Sequence, residues 1–182
     1  MSTYRYLRPL LFRLDAERAH GLAMGTARTL QSVDAGLTGH IWGYEHEALE
    51  QRLWDLEFPN PLGLAAGFDK NGRLPQFWEQ IGFGFSEIGS VTHLPSEGNP
   101  RPRAFRLPED RALINRMGLN NEGSRAVARR IEKTRPTLHR PLGINVAKSH
   151  EDGLTGEAAV ADFLRSVREL SPHADYLTLN LS

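Results

Sequence analysis

Cysteine is absent from the 182-residue sequence. This absence excludes a disulfide framework, a thiolate zinc site and a cysteine nucleophile within these residues. An excess of one charge is also absent, because 22 basic side chains balance 22 acidic ones. We therefore predict no net field that would attract nucleic acid, and any charge-driven binding must come from local patches. The seven histidines form no pair at metal-binding spacing, so we expect no structural metal.

Long apolar runs are absent as well. The longest one, over residues 62–68, contains two glycines, whereas a membrane-spanning helix needs about 20 predominantly apolar residues. The N-terminus lacks the basic stretch, apolar core and small-residue cleavage site of a secretory signal. We therefore expect no spanning helix, and residence on the cytoplasmic side. A composition of 40% hydrophobic and 24% charged residues indicates a globular chain with one ordinary core.

The N-terminal residues predict two short helices. Leucines of the first helix share one face and arginines surround it: Leu7, Leu10, Leu11 and Leu14 with Arg5, Arg8 and Arg13. Asp15 can cap the second helix, whose stripe of small apolar residues covers 16–30. Periodicity favours packing of this pair on the protein body over contact with a membrane surface. We predict a helical extension over 1–35, a connector over 36–48 and the main domain over 49–182.

The main domain alternates short apolar runs with helical patterns, as expected for a parallel sheet built from strand-helix units. We predict core strands near 62–66, 86–91, 142–146 and 176–181, and helices near 74–81, 123–133 and 157–170. An inserted hairpin is predicted over 103–107 and 112–115, and another short strand pair within 49–58. The predicted fold class is therefore α/β.

Small or polar residues lie at the end of each predicted core strand: Gly67, Asp69 and Lys70 at the first, Ser90 and Thr92 at the second, Asn145 at the third and Asn180 at the fourth. In a barrel of alternating strands and helices, the loops at the strand C-termini build the active site. An open doubly wound sheet would place such residues similarly, at its carboxyl edge. The pattern favours the barrel only slightly, and it predicts a site at this edge in either case.

Residues 60–72, with the sequence NPLGLAAGFDKNG, are the most informative stretch. Small residues at a strand end let a flat ligand approach the backbone closely, and Lys70 would enter the same space. Considered alone, Lys70 would be better explained as a solvated lysine in an Asp-Lys-Asn-Gly turn. The length of the motif favours a ligand site.

Residues 114–121 combine amide side chains, a glycine and a guanidinium just before a helix. Such a set can hold a small planar carboxylate, although Asn120 or Asn121 can also cap the helix. Asn145 and Asn180 lie inside otherwise apolar strands, where each amide needs an interior partner. That partner is either a ligand or a structural hydrogen bond, which is the commoner explanation for one buried asparagine.

Six motifs in this order resemble those of dihydroorotate dehydrogenases. They are 60–72, EIGSVT at 87–92, FRLP at 105–108, NRMGLNN at 115–121, GINV at 143–146 and NLS at 180–182. The preceding helical pair resembles the extension of the quinone-dependent, membrane-attached class. This resemblance makes membrane contact the favoured expectation for the pair, whereas periodicity alone favours packing on the protein body. The resemblance implies the N-terminal half of a (β/α)8 TIM barrel that binds FMN. It further implies oxidation of dihydroorotate to orotate in pyrimidine (UMP) synthesis, with electrons passed to a quinone, by a protein held peripherally at the cytoplasmic side of the cell membrane.

The resemblance also implies roles for individual residues. Those expected to contact FMN are Ala66, Gly67, Phe68, Asp69, Lys70, Ser90, Asn145 and Asn180. Those expected to contact the substrate are Lys70, Asn115, Arg116, Met117, Gly118, Leu119 and Asn180. Lys70 would in addition help to hold negative charge near the flavin. His20 and Arg106 match positions that line the access path of the quinone.

The sequence departs from the family pattern at two positions that bear on the shape of the pocket. Leu119 stands where an aromatic residue is common, and Ala147 where glycine is common. The serine base of the quinone-dependent class would follow the match to Ser182 by one position, so we expect no catalytic base within these residues. We also expect the second half of the barrel, with the cofactor phosphate site, to lie outside them. Two alternatives are a non-catalytic membrane-binding or assembly module and another FMN-dependent barrel oxidoreductase.

Overall fold

Two helices begin the computed structural model, which describes residues 4–33, 43–44 and 46–181. Helix α1 spans Tyr4–Leu11 and helix α2 spans Ala16–Val33, so both predicted helices are confirmed. Asp15 caps α2, because its Oδ1 accepts the backbone N–H groups of Glu17 and Arg18 at 3.0 and 3.1 Å. The predicted connector lies largely outside the described residues, and the division of the chain into extension and main domain stays a prediction.

The main domain contains eight strands and three α-helices in the described part of the chain, besides short 3-10 turns. In chain order they are β1 (Gln51–Leu53), β2 (Leu56–Phe58), β3 (Gly63–Leu64), α3 (Pro75–Gln80), β4 (Phe85–Val91), β5 (Ala104–Leu107), β6 (Ala112–Asn115), α4 (Ser124–Thr134), β7 (Leu142–Ala147), α5 (Gly156–Leu170) and β8 (Tyr176–Asn180). All the predicted strands and helices of this domain are confirmed, although β3 is shorter than predicted. Its pairing with β4 ends at Leu64, and Gly67 then donates its N–H to the carbonyl of Gly89 at 2.7 Å.

Strand order distinguishes the two architectures that the sequence pattern left open. The four core strands form one parallel sheet in the order β3-β4-β7-β8, so each strand neighbours the next along the chain. A doubly wound sheet reverses its strand order at a switch point, whereas a barrel keeps neighbours consecutive. The observed order is that of a barrel, and β1-β2 and β5-β6 are separate antiparallel hairpins.

Two apolar clusters hold the elements together. The larger one joins the sheet, through residues such as Ile88 and Ile144, to Val127 and Ile131 of α4 and Leu170 of α5. The smaller one joins Ala27 of α2 to Leu74, Phe77 and Trp78 at α3. Helix α2 therefore packs on the first strand-helix unit, as periodicity predicted.

Helix α1 differs from α2 in its exposure. Leu7 and Leu10 are 50% and 59% exposed, and none of the residues of α1 is buried. None of the helices within the described ranges combines the length and apolar character that crossing a bilayer requires. The apolar face of α1 thus lies at the surface of the described structure.

Candidate active site

A cavity of about 840 Å³ opens between α2, the β5-β6 hairpin and the carboxyl ends of β3 and β4. It brings together ten of the predicted site residues: His20, Gly67, Phe68, Lys70, Ser90, Arg106, Asn115, Met117, Gly118 and Leu119. Ala66, Asp69, Arg116, Asn145 and Asn180 are not among its lining residues, so their predicted ligand contacts stay predictions. The cavity occupies the edge of the sheet where the sequence predicts a site.

Lys70 lies in the wall of this cavity with a half-buried side chain. Its Nζ donates a hydrogen bond to the carbonyl of Gly67. Burial lowers the pKa of the Lys70 ammonium, the nearby Arg103 guanidinium lowers it further, and Glu17 opposes this change. Lys70 is therefore not the solvated turn lysine that it would be if considered alone.

Gly67 presents bare backbone to the cavity. Its φ of +105° lies in a region that L side chains rarely adopt, and no atom lies within 4 Å of the position that a Cβ would occupy. The backbone N–H is already held by the carbonyl of Gly89 at 2.7 Å. This combination leaves open space directly above a fixed strand end, which suits the close approach of a flat ring.

Asp69, although next to Lys70, serves the fold. Its carboxylate is buried and accepts hydrogen bonds from the backbone N–H groups of Arg73 and Leu74 at 2.8 Å each, and from the indole of Trp78 at 3.2 Å. These contacts fix the start of α3. A cofactor contact by Asp69 would therefore have to come from its backbone.

Asn145 and Asn180 find their interior partners in a chain of side-chain hydrogen bonds. Asn180 Nδ2 donates to Ser90 Oγ at 3.0 Å, and Ser90 Oγ donates to Asn145 Oδ1 at 2.5 Å. Asn145 Nδ2 donates in turn to Glu87 Oε1 at 3.0 Å. The structural hydrogen bonds considered from sequence are confirmed, and they link three neighbouring strands at their carboxyl ends.

Glu87 is a residue whose importance the sequence interpretation missed. Its second carboxylate oxygen accepts the hydroxyl of Thr178 at 3.0 Å. Burial raises the pKa of Tyr176 well above its ordinary value, and the nearby Glu87 raises it further. The available signal was a carboxylate at an interior position of the otherwise apolar strand β4, where an acidic side chain needs dedicated partners.

The loop over 115–119 carries residues predicted to contact the substrate and is called the substrate loop for that prediction; its backbone is unusual. Gly118 and Leu119 have φ values of +74° and +55°. For a leucine this left-handed conformation costs roughly 1–2 kcal/mol, and such strain is found most often at functional sites. Asn99 holds the loop, because its N–H and its Nδ2 donate to the carbonyls of Met117 and Arg116 at 3.0 and 2.8 Å.

The helix cap predicted for this region is wrong. Gly123 occupies the N-cap of α4, and no side chain caps the helix. Asn121 is instead buried below the loop, where its Oδ1 accepts the N–H of Gly123 at 2.8 Å and its Nδ2 donates to the hydroxyl of Thr92 at 2.7 Å. The amide therefore joins the end of β4 to the start of the helix rather than capping α4.

His20 and Arg106 form the side of the cavity nearest to the helical extension. The imidazole of His20 packs edge-to-face on Phe68 with ring centroids 4.7 Å apart. Burial lowers the pKa of His20, and the cation of Lys70 lowers it further. Arg106 donates to the carbonyl of Leu14 at 2.7 Å and lies 4.8 Å from the ring centroid of Phe12.

A second space adjoins the cavity. This groove of about 900 Å³ runs between α1, α2 and the β5-β6 hairpin, with mostly apolar lining side chains such as Leu7, Leu11 and Phe12. The groove and the cavity share five lining residues: Ala19, Ala23, Phe68, Arg106 and Leu113. An apolar path thus leads from the helical extension to the polar wall around Lys70.

Within the described ranges, no three histidine or acidic side chains lie close enough together to bind a metal ion.

Comparison with known proteins gives consistent matches. A sequence profile described as Dihydroorotate dehydrogenase matches residues 48–182. The chain is 49% identical over its whole length to a protein named Dihydroorotate dehydrogenase (quinone) from Gloeobacter violaceus, of which it covers 51%. It is 47% identical over 98% of its length to a protein of the same name from Rhodospirillum rubrum, of which it covers 46%.

Solved structures agree with these relatives. A crystal structure of ligand-free type DHODH from Eimeria tenella matches 92% of the chain with a TM-score of 0.80 and 37% identity, and the chain covers 46% of it. The structure of DHODH from the same organism in complex with ferulenol matches with a TM-score of 0.78 and 36% identity, and 44% of it is covered. The chain thus spans about half the length of the curated relatives it matches. On the strength of the profile match, the identity over the whole of this chain and the agreement with the solved structures, the chain belongs to the dihydroorotate dehydrogenase family.

Proposed function

We propose that this chain supplies the N-terminal half of a quinone-reducing dihydroorotate dehydrogenase, which oxidises dihydroorotate to orotate in pyrimidine synthesis. The observation that carries the proposal is one cavity that joins Lys70, Ser90 and the substrate loop on one side to His20 and Arg106 on the other. The adjoining apolar groove connects this cavity to the helical extension. The relatives named above supply the reaction and the electron acceptor.

The strand ends suit the isoalloxazine ring of FMN. The open space above Gly67 accommodates a flat ring, and the cation of Lys70 lies beside it. Ser90 lines the cavity, and Asn145 and Asn180 are hydrogen-bonded in a chain with it. Each of the two amides has two N–H groups and two lone pairs on its oxygen, which we propose for this chain and for the imide-like edge of a flavin together. When bound, FMN supplies the redox chemistry, accepting a hydride equivalent from the substrate and passing electrons onward.

The substrate loop and Lys70 provide a site for a small planar carboxylate. Asn115, Met117 and Gly118 line the same cavity as Lys70, so a ligand there meets amide, backbone and cationic groups. The Lys70 ammonium favours a negatively charged substrate and any negative charge that develops beside it.

The apolar groove is the proposed access path of the quinone, and α1 is the proposed membrane contact. Arg106 closes the inner end of the groove and also lines the cavity, so a quinone head group would meet a cation there. Leu7 and Leu10 expose apolar surface beside Arg5, Arg8 and Arg13, as an interfacial helix requires. We therefore propose a peripheral location on the cytoplasmic face of the cell membrane.

The proposal is tested on the protein expressed from its own gene. We expect bound flavin and dihydroorotate-dependent quinone reduction. Lys70→Ala should lower kcat/KM for dihydroorotate by about 10²–10³-fold, the effect of removing one electrostatic stabiliser. Lys148→Ala is the matched control, because this half-buried lysine also donates to a carbonyl, that of Leu154 at 3.0 Å, and does not line the cavity.

The alternatives make different predictions in the same experiment. If turnover of dihydroorotate survives both Lys70→Ala and Asn115→Ala undiminished, another planar substrate is favoured and the proposal fails. If neither flavin nor turnover is found while the protein still binds liposomes, the non-catalytic membrane-binding alternative is favoured. Loss of activity in the Lys148 control as well as in Lys70→Ala would assign both effects to folding and reject a specific role for Lys70.

A further inference from the structure

Arg103 is the most deeply buried cation beside the candidate site. Its side chain is 5% exposed, and its carboxylate partner, Glu17, is 16% exposed. Arg103 directly precedes β5, whereas Glu17 lies in the first turn of α2. A buried guanidinium is costly unless it is paired and hydrogen-bonded, so this contact needs an explanation in terms of what it connects.

The guanidinium of Arg103 connects helix α2 to the loop over 97–99. Its Nε and Nη2 donate to the carboxylate of Glu17, at 3.2 Å to Oε2 and 2.7 Å to Oε1. Its Nη1 donates to the carbonyls of Glu97 and Asn99, the latter at 2.9 Å. The fork geometry fixes the relative orientation of helix and loop, which a single point contact would not.

The segment next to this guanidinium is packed directly against the substrate loop. A Cβ on Gly98 would lie 2.2 Å from the carbonyl oxygen of Met117 and 2.8 Å from Arg103 Nη1, so only glycine fits between them. The backbone carbonyl of Arg103 also accepts the N–H of Arg116 at 2.8 Å. The position of the substrate loop therefore depends on Arg103 through both its side chain and its backbone.

On its other side, the pair fixes the helix that carries His20. Glu17 precedes His20 by three residues on α2, and both line the cavity. We propose that Arg103, held by Glu17, is a positioning residue that sets the substrate loop and couples it to the quinone-side face of α2. This inference rests on the function proposed above, because it assigns the loop to the substrate and the helix to the acceptor.

Three single variants of the protein expressed from its own gene test this coupling. Arg103→Lys keeps the charge and removes the fork, and Glu17→Gln keeps the shape and removes the charge. Arg101→Lys is the matched control, because Arg101 pairs with the same carboxylate at 3.1 Å but has a side chain that is 73% exposed. If only the charge pairing with Glu17 mattered, and not the buried fork of Arg103, the three variants would change KM to the same extent.

We expect Arg103→Lys and Glu17→Gln to raise KM for dihydroorotate and for the quinone by about tenfold each, the size of one lost hydrogen bond to a charged group. The double variant should be no worse than Arg103→Lys alone, because residues that act as one unit are non-additive. Arg101→Lys should change either KM by less than about twofold, as expected for an exposed pair. If Arg103→Lys yields no folded protein, the two KM values of Glu17→Gln are compared with those of Arg101→Lys instead.

Amide hydrogen exchange provides a measurement without substrate. The coupling predicts that Arg103→Lys speeds amide exchange on two sides: in the loops 97–99 and 115–119, and in the first turns of α2. Arg101→Lys should leave exchange unchanged on both sides. Exchange that changes on one side only in Arg103→Lys, or additive kinetic effects, overturns the coupling. An absence of dihydroorotate turnover in the unmodified protein would reject the proposed function alone, because the exchange comparison does not depend on that reaction.

Discussion

The amide nitrogen of Asn145 donates a hydrogen bond to the carboxylate of Glu87 across 3.0 Å, and this contact sets the direction of the hydrogen bonds beyond it. A carboxylate oxygen accepts, so Nδ2 of Asn145 faces Glu87 and Oδ1 faces Ser90. The hydroxyl of Ser90 donates to that Oδ1 at 2.5 Å, and Ser90 Oγ accepts Nδ2 of Asn180 at 3.0 Å. Glu87 thereby orients two amides that the proposed function places against FMN.

Replacement of Glu87 by glutamine should weaken flavin binding. Glutamine can turn its amide nitrogen toward Asn145, so the Asn145 amide loses its single favoured orientation. We expect the dissociation constant for FMN to rise by about tenfold, the cost of one misdirected buried hydrogen bond. The measurement is the quenching of flavin fluorescence on titration of the apoprotein.

Thr178→Val is the control for this prediction. It removes the hydrogen bond from the Thr178 hydroxyl to Glu87, at 3.0 Å, and leaves the Asn145 contact in place. We expect a smaller change in FMN affinity than in Glu87→Gln. Equal affinities of Glu87→Gln and the unmodified protein would show that Glu87 has no orienting role.

Asp15, which caps α2, and Asp69, which anchors the segment leading into α3, should differ in their contribution to stability. Asp69→Ala leaves three donors without a partner, two of them on the buried residues Leu74 and Trp78, so we expect a loss of about 3 kcal/mol or more in the free energy of unfolding. Asp15→Ala removes an exposed cap, whose N–H donors can turn to water, and should cost clearly less than Asp69→Ala. Urea denaturation of both variants measures the difference, and equal losses would contradict the structural role assigned to Asp69.

Glu17 should contribute to stability only while it is ionised. The hydrogen bond and charge of Arg103 hold the pKa of Glu17 below its ordinary value of 4.5. The folded pKa is thus the lower one, so this stability is present above pH 4.5 and is lost as pH falls through the folded pKa. We expect the difference in free energy of unfolding between the unmodified protein and Glu17→Gln to shrink as the pH is lowered below that value.

Glu79 provides a control of opposite sign. Burial raises the pKa of Glu79 above 4.5, although the N–H groups of His139 and Arg140 oppose this change. The folded pKa is the higher one here, so stability linked to Glu79 should decrease as the pH rises from 4.5 through the folded pKa. Glu79→Gln should remove that decrease, and identical pH profiles for the Glu17 and Glu79 variants would contradict both assignments.

Membrane contact by α1 is tested by charge insertion. Leu7→Glu should reduce flotation with liposomes by several-fold, because a carboxylate opposes burial of the apolar face in the interface. Leu53→Glu is the matched control, since Leu53 in β1 is 49% exposed and Leu7 is 50% exposed. Equal flotation of the two variants would show that α1 does not direct binding.

Much of the fold follows from the sequence because its periodicity is local. Alternating apolar runs and helical patterns predict every strand and α-helix of the main domain, and Asp15 marks the start of α2. The six ordered motifs contain several of the residues that line the cavity, such as Lys70, Ser90 and Asn115. These signals depend on neighbours in the chain, and the chain alone contains them.

The remainder depends on contacts between distant residues. Strand order identified the barrel, because the same apolar runs suit either architecture until their pairing is known. Asn145 is paired with Glu87, and the substrate loop is paired with Arg103. Each partner is distant in the sequence, so the spacing of residues could not reveal either pair. Asp69 is adjacent to Lys70 in the chain, yet the fold turns its carboxylate to α3 and Lys70 to the cavity. The sequence by itself determined the elements, the motifs and the family, whereas tertiary structure decided which polar groups satisfy one another and which face a ligand, since burial makes each of them require a partner.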